Sequence, residues 1–552
     1  MEEPAPPTLP HRRYHDLDAL RAGAMLLGIV LHSLLSFIDF PIWPAQDLYR
    51  NNELYGFIQQ AIHGFRMPLF FLISGFFTAM LWRKRGLGGL LKQRAIRILI
   101  PMGVGVVLVW PMMIGIGIWG GISKEKINKQ RSGMAAEQAE TIWTAAKTGD
   151  LEGIARTLDA GAGINRRDGM GISPLGWAAL QQQVDAVERL IERGADVNAP
   201  NDDGSSPLHQ AAFVGNYGAA ALLLEHGAEV NARNKKNETP LDSLQHSWEL
   251  VQWIAGMLDL ELDREEFLEG RKKTAALLKD HGGKIGKEAA GKEGAGDILV
   301  GIYTAGAFAP VFHHLWFLNY LWLLVILFMV LASIWTATGW TFPENLVTSP
   351  LRWLWLLPLS LLAQYYMRQG FGVDTATGLL PWPPTLLYYA VFFCFGALCH
   401  GRPRFDERAG AGWPLWFLLS IPALLGGLHF LEVRGENFAR NQALCSLCTV
   451  LYTWLMVYGW IGFFRRFCSA ENRVIRYLSD SAYWLYLAHL PLVMILQILV
   501  SGWHLPSGVK FLIVCTGATV ILLWSYDIMV RYTFIGAVLN GRKYRGRKAP
   551  PA

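Results

Sequence analysis

The chain has 552 residues, of which 52% are hydrophobic, and its net charge at pH 7 is +6. Length alone would allow several soluble domains, but the long apolar runs along the chain exclude an ordinary soluble protein. The net charge is modest and gives no indication of a nucleic-acid partner.

Apolar runs of about 16–24 residues, long enough to cross a bilayer core of about 30 Å, recur along the chain. They predict an all-α fold, a polytopic membrane helix bundle of about ten spans. The runs cover residues 19–38, 57–82, 98–119, 316–337, 353–367, 385–400, 413–431, 443–464, 481–501 and 511–531. No small-residue cleavage site follows the first run, so we expect it to remain in the mature chain.

The first span carries three ionisable residues, Asp18, Arg21 and His32, in an otherwise apolar run. Arg21 and His32 are eleven residues apart, which is three turns plus about 20°, so both lie on one helix face. Asp18 lies on the same side. Because a charged group at the bilayer centre costs about 2.5–3.5 kcal/mol or more, this face is predicted to be functional. The alternative is an interfacial ion pair between Asp18 and Arg21 beside a hydrogen-bonded core histidine.

The second span, "HGFRMPLFFLISGFF", repeats this pattern with His63, Arg66 and Ser74. Arg94 and Arg97 follow, one turn apart, at the predicted cytoplasmic end of the third span. Guanidinium groups form paired hydrogen bonds with phosphate oxygens, so these two arginines are candidates for binding a phosphorylated ligand.

Residues 120–300 are more charged than the spans and contain an internal repeat of 33 residues. The period is marked by three columns of identical residues: Pro174, Pro207 and Pro240; Ala162, Ala195 and Ala228; Asn165, Asn198 and Asn231. "SPLHQAA" matches the T-P-L-H-x-A signature, so the segment resembles ankyrin repeats, which stack into an α-solenoid. Leu175, Leu208 and Leu241 are predicted to fill equivalent core positions. "REEFLEGRKKTAALLKDHGGKIG" is predicted to close the stack as a charged capping helix.

Late in the chain, "DSAYWLYLAH" places Tyr483, Tyr486 and His489 along one helix. The tyrosines alone are more typical of membrane-interface anchors than of catalytic groups. Cys445 and Cys448 have CxxC spacing, but no second pair or nearby histidine completes a metal site, so we predict none.

The orientation follows from lysine and arginine in short loops, because cytoplasmic loops carry an excess of both. With a cytoplasmic N-terminus, the inner segments hold 21 of these residues and the short outer loops hold five. Both termini are therefore predicted to be cytoplasmic, and the long segment after the third span is predicted to lie on the outer side.

These features together resemble the membrane acyltransferase-3 family. That family has an arginine, ten residues and then a histidine in its first span, which Arg21 and His32 match, and an RxxR sequence before its third span, which Arg94 and Arg97 match. "FRMPLFFLISGFF", "HLWFLNYL", "YYAVFFCFGAL" and "YLSDSAYWLYLAHLPL" are similar to the branch that includes glucan-succinylation proteins. The ankyrin insertion departs from the family pattern, in which this loop is much shorter.

The resemblance implies an integral membrane enzyme of a bacterial inner membrane. The charge distribution given above would then place the ankyrin domain on the periplasmic side. The enzyme would move an acetyl or succinyl group from cytoplasmic acyl-CoA, a substrate rather than a bound cofactor, to a hydroxyl of a cell-envelope glycan. Membrane lipids and a protein bound by the ankyrin repeats would be further partners. The alternatives are a transporter or flippase with an intramembrane histidine relay, and a non-catalytic scaffold that displays ankyrin repeats.

The resemblance also implies roles for individual residues. His32, Arg21 and Asp18 would be catalytic, with His32 taking the proton of the acceptor hydroxyl, and Arg94 and Arg97 would bind the donor. The predicted supporting residues are His63, Arg66, Ser74, His314, Trp316, Tyr486 and His489. The implied domains are residues 1–119 and 313–552 for the two parts of the acyltransferase, 139–285 for the ankyrin repeats and 286–312 for a tether.

Overall fold

The computed structural model divides the chain into two units, Met1–Ile127 with Gly301–Ala552, and Asn128–Val300. It describes residues 14–38, 43–48, 53–135, 141–285 and 303–540, apart from 169–170, 202, 236, 259, 261, 305, 310, 340–341, 368, 376, 404, 406–408 and 434–437. Most of the predicted tether, 286–302, and both chain ends lie outside these residues. Throughout the described ranges the regular elements are helices, which confirms the predicted all-α fold.

The membrane unit is built from long apolar helices. Its helices are α1 (His15–Leu34), α2 (Glu53–Arg94), α3 (Ile100–Ala135), α13 (Trp316–Thr338), α14 (Asn345–Thr348), α15 (Trp353–Tyr365), α16 (Pro383–Cys399), α17 (Trp413–Glu432), α18 (Phe438–Cys468), α19 (Arg473–Val500), α20 (Ser507–Ser525) and α21 (Phe534–Asn540). In the described part of the chain, seven helical stretches are long and apolar enough to cross a membrane. One of them, Glu53–Lys124, has 72 residues and contains the second and third predicted spans. The predicted spans 353–367 and 385–400 fall on α15 and α16, which are shorter.

The long second stretch is interrupted after its membrane portion. Gly86 has φ 68° and ψ −179°, a conformation that is readily available only to glycine. A π-helical turn, Ala95–Leu99, then leads into α3. The basic segment that carries Arg94 lies between these two irregularities. The backbone conformation at Gly86 and at the π-helical turn therefore determines the direction of this segment.

Helices α2 and α16 pack with their backbones in close contact. A Cβ at Gly75 would lie 1.9 Å from the carbonyl oxygen of Phe393, and one at Gly396 would lie 2.0 Å from that of Leu72. Small residues permit this approach, which is a common way for membrane helices to associate. The contact holds α2, which carries His63 and Arg66, against the middle of the bundle.

The second unit contains paired short helices at the predicted period. They are α4 (Ile142–Thr148), α5 (Leu151–Asp159), α6 (Pro174–Leu180), α7 (Val184–Glu192), α8 (Pro207–Val214), α9 (Tyr217–Glu225), α10 (Pro240–Ser243), α11 (Trp248–Leu258) and α12 (Arg264–Asp280). Leu175, Leu208 and Leu241 belong to one buried apolar cluster, as the repeat predicts. The repeats thus share one continuous core.

The asparagine column joins each repeat to the next. The backbone N–H groups of Asp196, Glu229 and Lys284 donate to Oδ1 of Asn165, Asn198 and Asn231, at 2.9, 2.8 and 2.7 Å. The same contact in three successive repeats explains why asparagine recurs every 33 residues, since its short amide reaches the backbone of the following repeat.

The third bond of this series shows that the fourth repeat is interrupted rather than incomplete. "ALLKDHGGKI", which ends at Ile285, is similar to "ALLLEHGAEV", which ends at Val230. The Lys284 N–H donates to Asn231 Oδ1 just as the Glu229 N–H donates to Asn198 Oδ1. Helix α12 is therefore the second helix of the fourth repeat, and α11 lies in an insertion between its two helices.

Asn216 makes a further bond between repeats that provides a stability test. Its Oδ1 caps α9 by accepting from Ala219 N–H at 3.0 Å, and its Nδ2 donates to the Ala179 carbonyl of the preceding repeat at 3.0 Å. Ser173 is an equally buried cap that, among the described residues, bonds only Gly176 N–H.

We expect Ser173→Ala to lower the free energy of unfolding of this unit by about 0.5–2 kcal/mol. Asn216→Ala should cost a further 1–3 kcal/mol or so, because a buried carbonyl loses its partner.

Hydrogen exchange of the α6–α9 amides in the full-length protein would measure both free energies. Equal losses in the two variants would contradict the role assigned to the Asn216–Ala179 bond.

Candidate functional site

Two histidines from distant parts of the sequence meet in the middle of the membrane unit. Helix α1 packs against α19, and His32 Nδ1 lies 3.0 Å from His489 Nε2. The ring centroids are 5.0 Å apart. The sequence placed both residues in apolar helices, and the structure brings them together.

The other nitrogen of His489 determines the direction of this hydrogen bond. His489 Nδ1 lies 3.1 Å from the Leu485 carbonyl oxygen and 2.8 Å from that of Tyr486. Carbonyl oxygens only accept, so Nδ1 must carry the proton. In a neutral pair, His489 Nε2 is then the acceptor and His32 Nδ1 the donor. This leaves the lone pair on His32 Nε2, the nitrogen that can take a proton from a substrate.

Arg66 lies beside the two histidines and packs against α1 at a glycine. A Cβ at Gly28, one turn before His32, would lie 2.4 Å from Arg66 Nη1 and 4.0 Å from His489 Nε2. Arg66 therefore occupies the space that any other residue at position 28 would fill. The phenol groups of Tyr389 and Tyr486 are its electrostatic neighbours.

His314 lies against His489 and forms a cluster of three histidines with it and His32. Its ring centroid is 5.3 Å from that of His489, and its Nε2 lies 3.1 Å from the Leu487 carbonyl oxygen, to which it donates. The Tyr486 hydroxyl donates to the His314 carbonyl at 2.6 Å. Both contacts are to α19, so they hold the segment before α13 against the helix that carries His489.

One end of the cluster is covered by a buried loop. Trp43 stacks on His32 with ring centroids 6.4 Å apart and planes 5° from parallel, and its Nε1 donates to Gln497 Oε1 at 3.1 Å. Gln497 Nε2 donates in turn to the His32 carbonyl at 2.9 Å. The loop is anchored by Asp47, whose carboxylate pairs at 2.8 Å with Lys510. Both of these side chains are fully buried.

Nearer the start of α1, the predicted polar face forms a second cluster. Arg21 Nη2 donates to the hydroxyl and carbonyl oxygens of Ser479 at 2.7 and 3.0 Å, and it lies 3.6 Å from Asp18 Oδ1. The Ser479 hydroxyl donates to Asp18 at 3.3 Å. The ion pair considered as the alternative from sequence is therefore formed, on the same helix face as His32 but separated from it by several turns.

Arg94 and Arg97 lie in the same region as Arg21. Arg94 donates to the Thr78 hydroxyl at 2.8 Å, and it is within electrostatic range of both other arginines. The Tyr483 hydroxyl donates to the Arg97 carbonyl. Three guanidinium groups near one another repel each other, so this arrangement is suited to binding an anion with several negative charges.

The other predicted supporting residues make contacts of their own outside the His32–His489 pair, which we call the dyad. His63 is three residues before Arg66 and its Nε2 donates to the Val373 carbonyl at 3.0 Å. Trp316 stacks on Tyr389 with centroids 5.7 Å apart. Ser74 contributes its carbonyl, which accepts from Thr78, and so belongs with Arg94 rather than with the histidines.

Sequence reasoning missed several residues of the site. Gln497 and Ser479 are polar residues within an apolar helix, the same signal that identified His32. Trp43 lies in a loop, and Gly28 is recognisable only from what a Cβ would meet. These last two depend on tertiary contacts that no local pattern predicts.

Comparison with known proteins gives the family context of this site. A family model described as an acyltransferase domain matches residues 14–130 and 283–530, more than half of the chain. A model for three ankyrin repeats matches residues 142–234. Glucans biosynthesis protein C of Escherichia coli K12 is 37% identical over 101 residues, which is 18% of this chain and 26% of that protein. The same protein from Escherichia coli O1:K1 matches equally. The chain thus aligns with about a quarter of the length of these curated relatives.

Proposed function

The chain belongs to the membrane acyltransferase-3 family, and from this premise we propose that it moves an acyl group from cytoplasmic acyl-CoA to a hydroxyl of a cell-envelope glycan. Acyltransferase membership rests on the family match. The glycan acceptor is supported by the partial similarity to proteins named for glucan biosynthesis. The proposed acyl group is acetyl or succinyl.

The observation that carries the proposal is the His32–His489 hydrogen bond of 3.0 Å. An alcohol is a poor nucleophile at neutral pH, so acyl transfer to it needs a base that accepts the hydroxyl proton. His32 Nε2 is that base in our proposal, and His489 is the group that orients it. In many enzymes a base that activates a hydroxyl is oriented in this way by a further side chain.

The donor would bind at the arginines near the start of α1. We assign Arg94 and Arg97, together with Arg21, to the phosphates of CoA, because guanidinium groups pair well with phosphate oxygens. Arg21 and His32 lie on one face of α1, separated by about 16 Å of helix rise. The flexible pantetheine arm would cover this distance and bring the thioester to His32. Asp18 would hold Arg21 in position.

The ankyrin unit would act by binding. We propose that it lies on the outer side of the membrane and holds a polymeric acceptor or a partner protein close to the transfer site. Such tethering raises the local concentration of acceptor without any further catalytic residue.

The first prediction concerns His32. In lipid nanodiscs supplied with acetyl-CoA or succinyl-CoA and a glucan oligosaccharide mixture, His32→Ala should abolish release of the CoA thiol and formation of glycan esters. His429→Ala is the control, because His429 is an exposed histidine of a membrane helix, and it should keep full activity. Near-normal turnover by His32→Ala would exclude it as the base and favour a scaffold. A native protein that binds no acyl-CoA would favour a transporter.

The second prediction concerns the donor arginines. Arg94→Ala with Arg97→Ala should weaken acyl-CoA binding, measured by calorimetry, by about 1.5–3 kcal/mol for each lost charge-assisted bond. Lys84→Ala with Arg85→Ala is the control, since it removes the same charge from exposed positions of the same segment. An equal loss of affinity in both double variants would show that only the overall charge matters.

The third prediction concerns the side of the membrane on which the ankyrin unit lies. In a variant without the six native cysteines, a cysteine at the exposed position Glu225 should react in intact cells with a membrane-impermeant thiol reagent that reaches the periplasm. A cysteine at the exposed Lys92 should react only after lysis. Labelling at Glu225 only after lysis would overturn the outer placement and the acceptor-holding role.

A further inference from the structure

Arg66 has no partner for its charge among the residues that the structure describes. None of its guanidinium nitrogens forms a hydrogen bond or ion pair there, and its Nε is buried without an acceptor. Asp374, an acidic side chain near His63, accepts a hydrogen bond from the backbone N–H of Gln369 at 2.7 Å. Arg66 is half-buried, and a cation without an anion is costly within a membrane-spanning helix.

Two other cations of the membrane unit, Lys510 and Arg465, have carboxylate partners. Lys510 contacts both carboxylate oxygens of Asp47 and the Ser501 carbonyl. Arg465 lies 3.4 Å from Asp16 and donates to two backbone carbonyls. Each of these two cations thus has a carboxylate partner, whereas Arg66 has neither a carboxylate nor a hydrogen-bond acceptor among the described residues.

Arg66 is also the cation that lies beside the histidine dyad. Its Nη1 and His489 Nε2 both lie within 4.0 Å of the point that a Cβ of residue 28 would occupy, and His32 follows one turn later on the same helix. The charge is thus held close to the proposed base, whereas Arg21 and Arg94 bond Ser479 and Thr78. A phosphate site at Arg66 would place the donor's phosphates where its thioester should be.

We infer that Arg66 binds the oxyanion that forms during acyl transfer, an assignment that rests on the proposed function. The acceptor oxygen attacks the thioester carbon while its proton passes to His32 Nε2. The carbonyl π electrons move to the oxygen, which becomes the oxyanion beside Arg66. Collapse restores the carbonyl and breaks the C–S bond, and the departing CoA sulfur takes the proton from His32. The anion that pairs with Arg66 exists only in this intermediate and its transition states, so the free protein has none.

Gly28 serves this arrangement by leaving room for the guanidinium. A Cβ there would displace Nη1, from which it would be 2.4 Å away, but it would be in ordinary contact with His489 at 4.0 Å. Gly28→Ala should therefore move Arg66 while the dyad keeps its geometry. Gly23→Ala is the matched control on the same helix, because the three atoms nearest to its Cβ would all belong to the Phe464 ring, the first at 2.8 Å.

The test compares Arg66→Met and Arg66→Lys in nanodiscs with the native protein, using acetyl-CoA and succinyl-CoA as donors and a glucan oligosaccharide mixture as acceptor. Arg66→Met should lower kcat by about 10²–10³-fold, the usual effect of removing an oxyanion donor, with KM for the donor little changed. Arg66→Lys should recover part of this loss. Gly28→Ala should lower kcat in the same direction, and Gly23→Ala should not.

A second readout without substrates separates this role from a structural one. Arg66→Met should leave the thermal midpoint unchanged or raise it, because it removes a half-buried charge that has no anion. Arg465→Met should lower the midpoint, because it breaks the ion pair with Asp16. The inference would be overturned if Arg66→Met lowered the thermal midpoint as much as Arg465→Met does, or if it left kcat unchanged. A loss confined to succinyl-CoA would also overturn it, because that result would assign Arg66 to the donor's carboxylate. A native protein that turns over neither donor would remove the proposed function itself.

Discussion

The hydrogen bond between His32 and His489 is the interaction on which the site depends. It exists only because α1 and α19, more than 400 residues apart in the chain, pack side by side. The contacts around it all restrict this pair: Gln497 holds the backbone at His32, Trp43 covers its ring, and the carbonyls of Leu485 and Tyr486 fix the proton on His489 Nδ1. A histidine that is oriented on both sides is positioned for proton transfer before any substrate binds.

The same packing separates two kinds of charge along α1. Near its start, Asp18, Arg21 and Ser479 form a partly exposed network with Arg94 close by, which is suited to a phosphorylated ligand. Further along, Arg66 is left without an anion beside the histidines. One helix face therefore leads from a region that can bind a donor to a region that can stabilise its reacting carbonyl.

The sequence predicted the spans, the repeats and the polar residues of single helices well, because each of these leaves a local pattern. His32 and His489 were both identifiable, since an ionisable residue in an apolar run is costly. Their pairing was not predictable, because it depends on which helices pack together. Gly28 carries no local signal at all, as its importance comes from a side chain on another helix. In the ankyrin unit, the 33-residue period concealed the split fourth repeat, which only the Lys284–Asn231 contact made plain.

The tautomer of His32 is the most direct test of this account. Nitrogen-15 NMR of the histidine-labelled protein in lipid, with the His32 signals identified by their loss in His32→Gln, distinguishes a protonated ring nitrogen from an unprotonated one. We expect His32 Nδ1 to carry the proton and Nε2 to be unprotonated near neutral pH. A proton on Nε2, or on both nitrogens, would contradict the claim that His489 holds His32 as the base of the reaction.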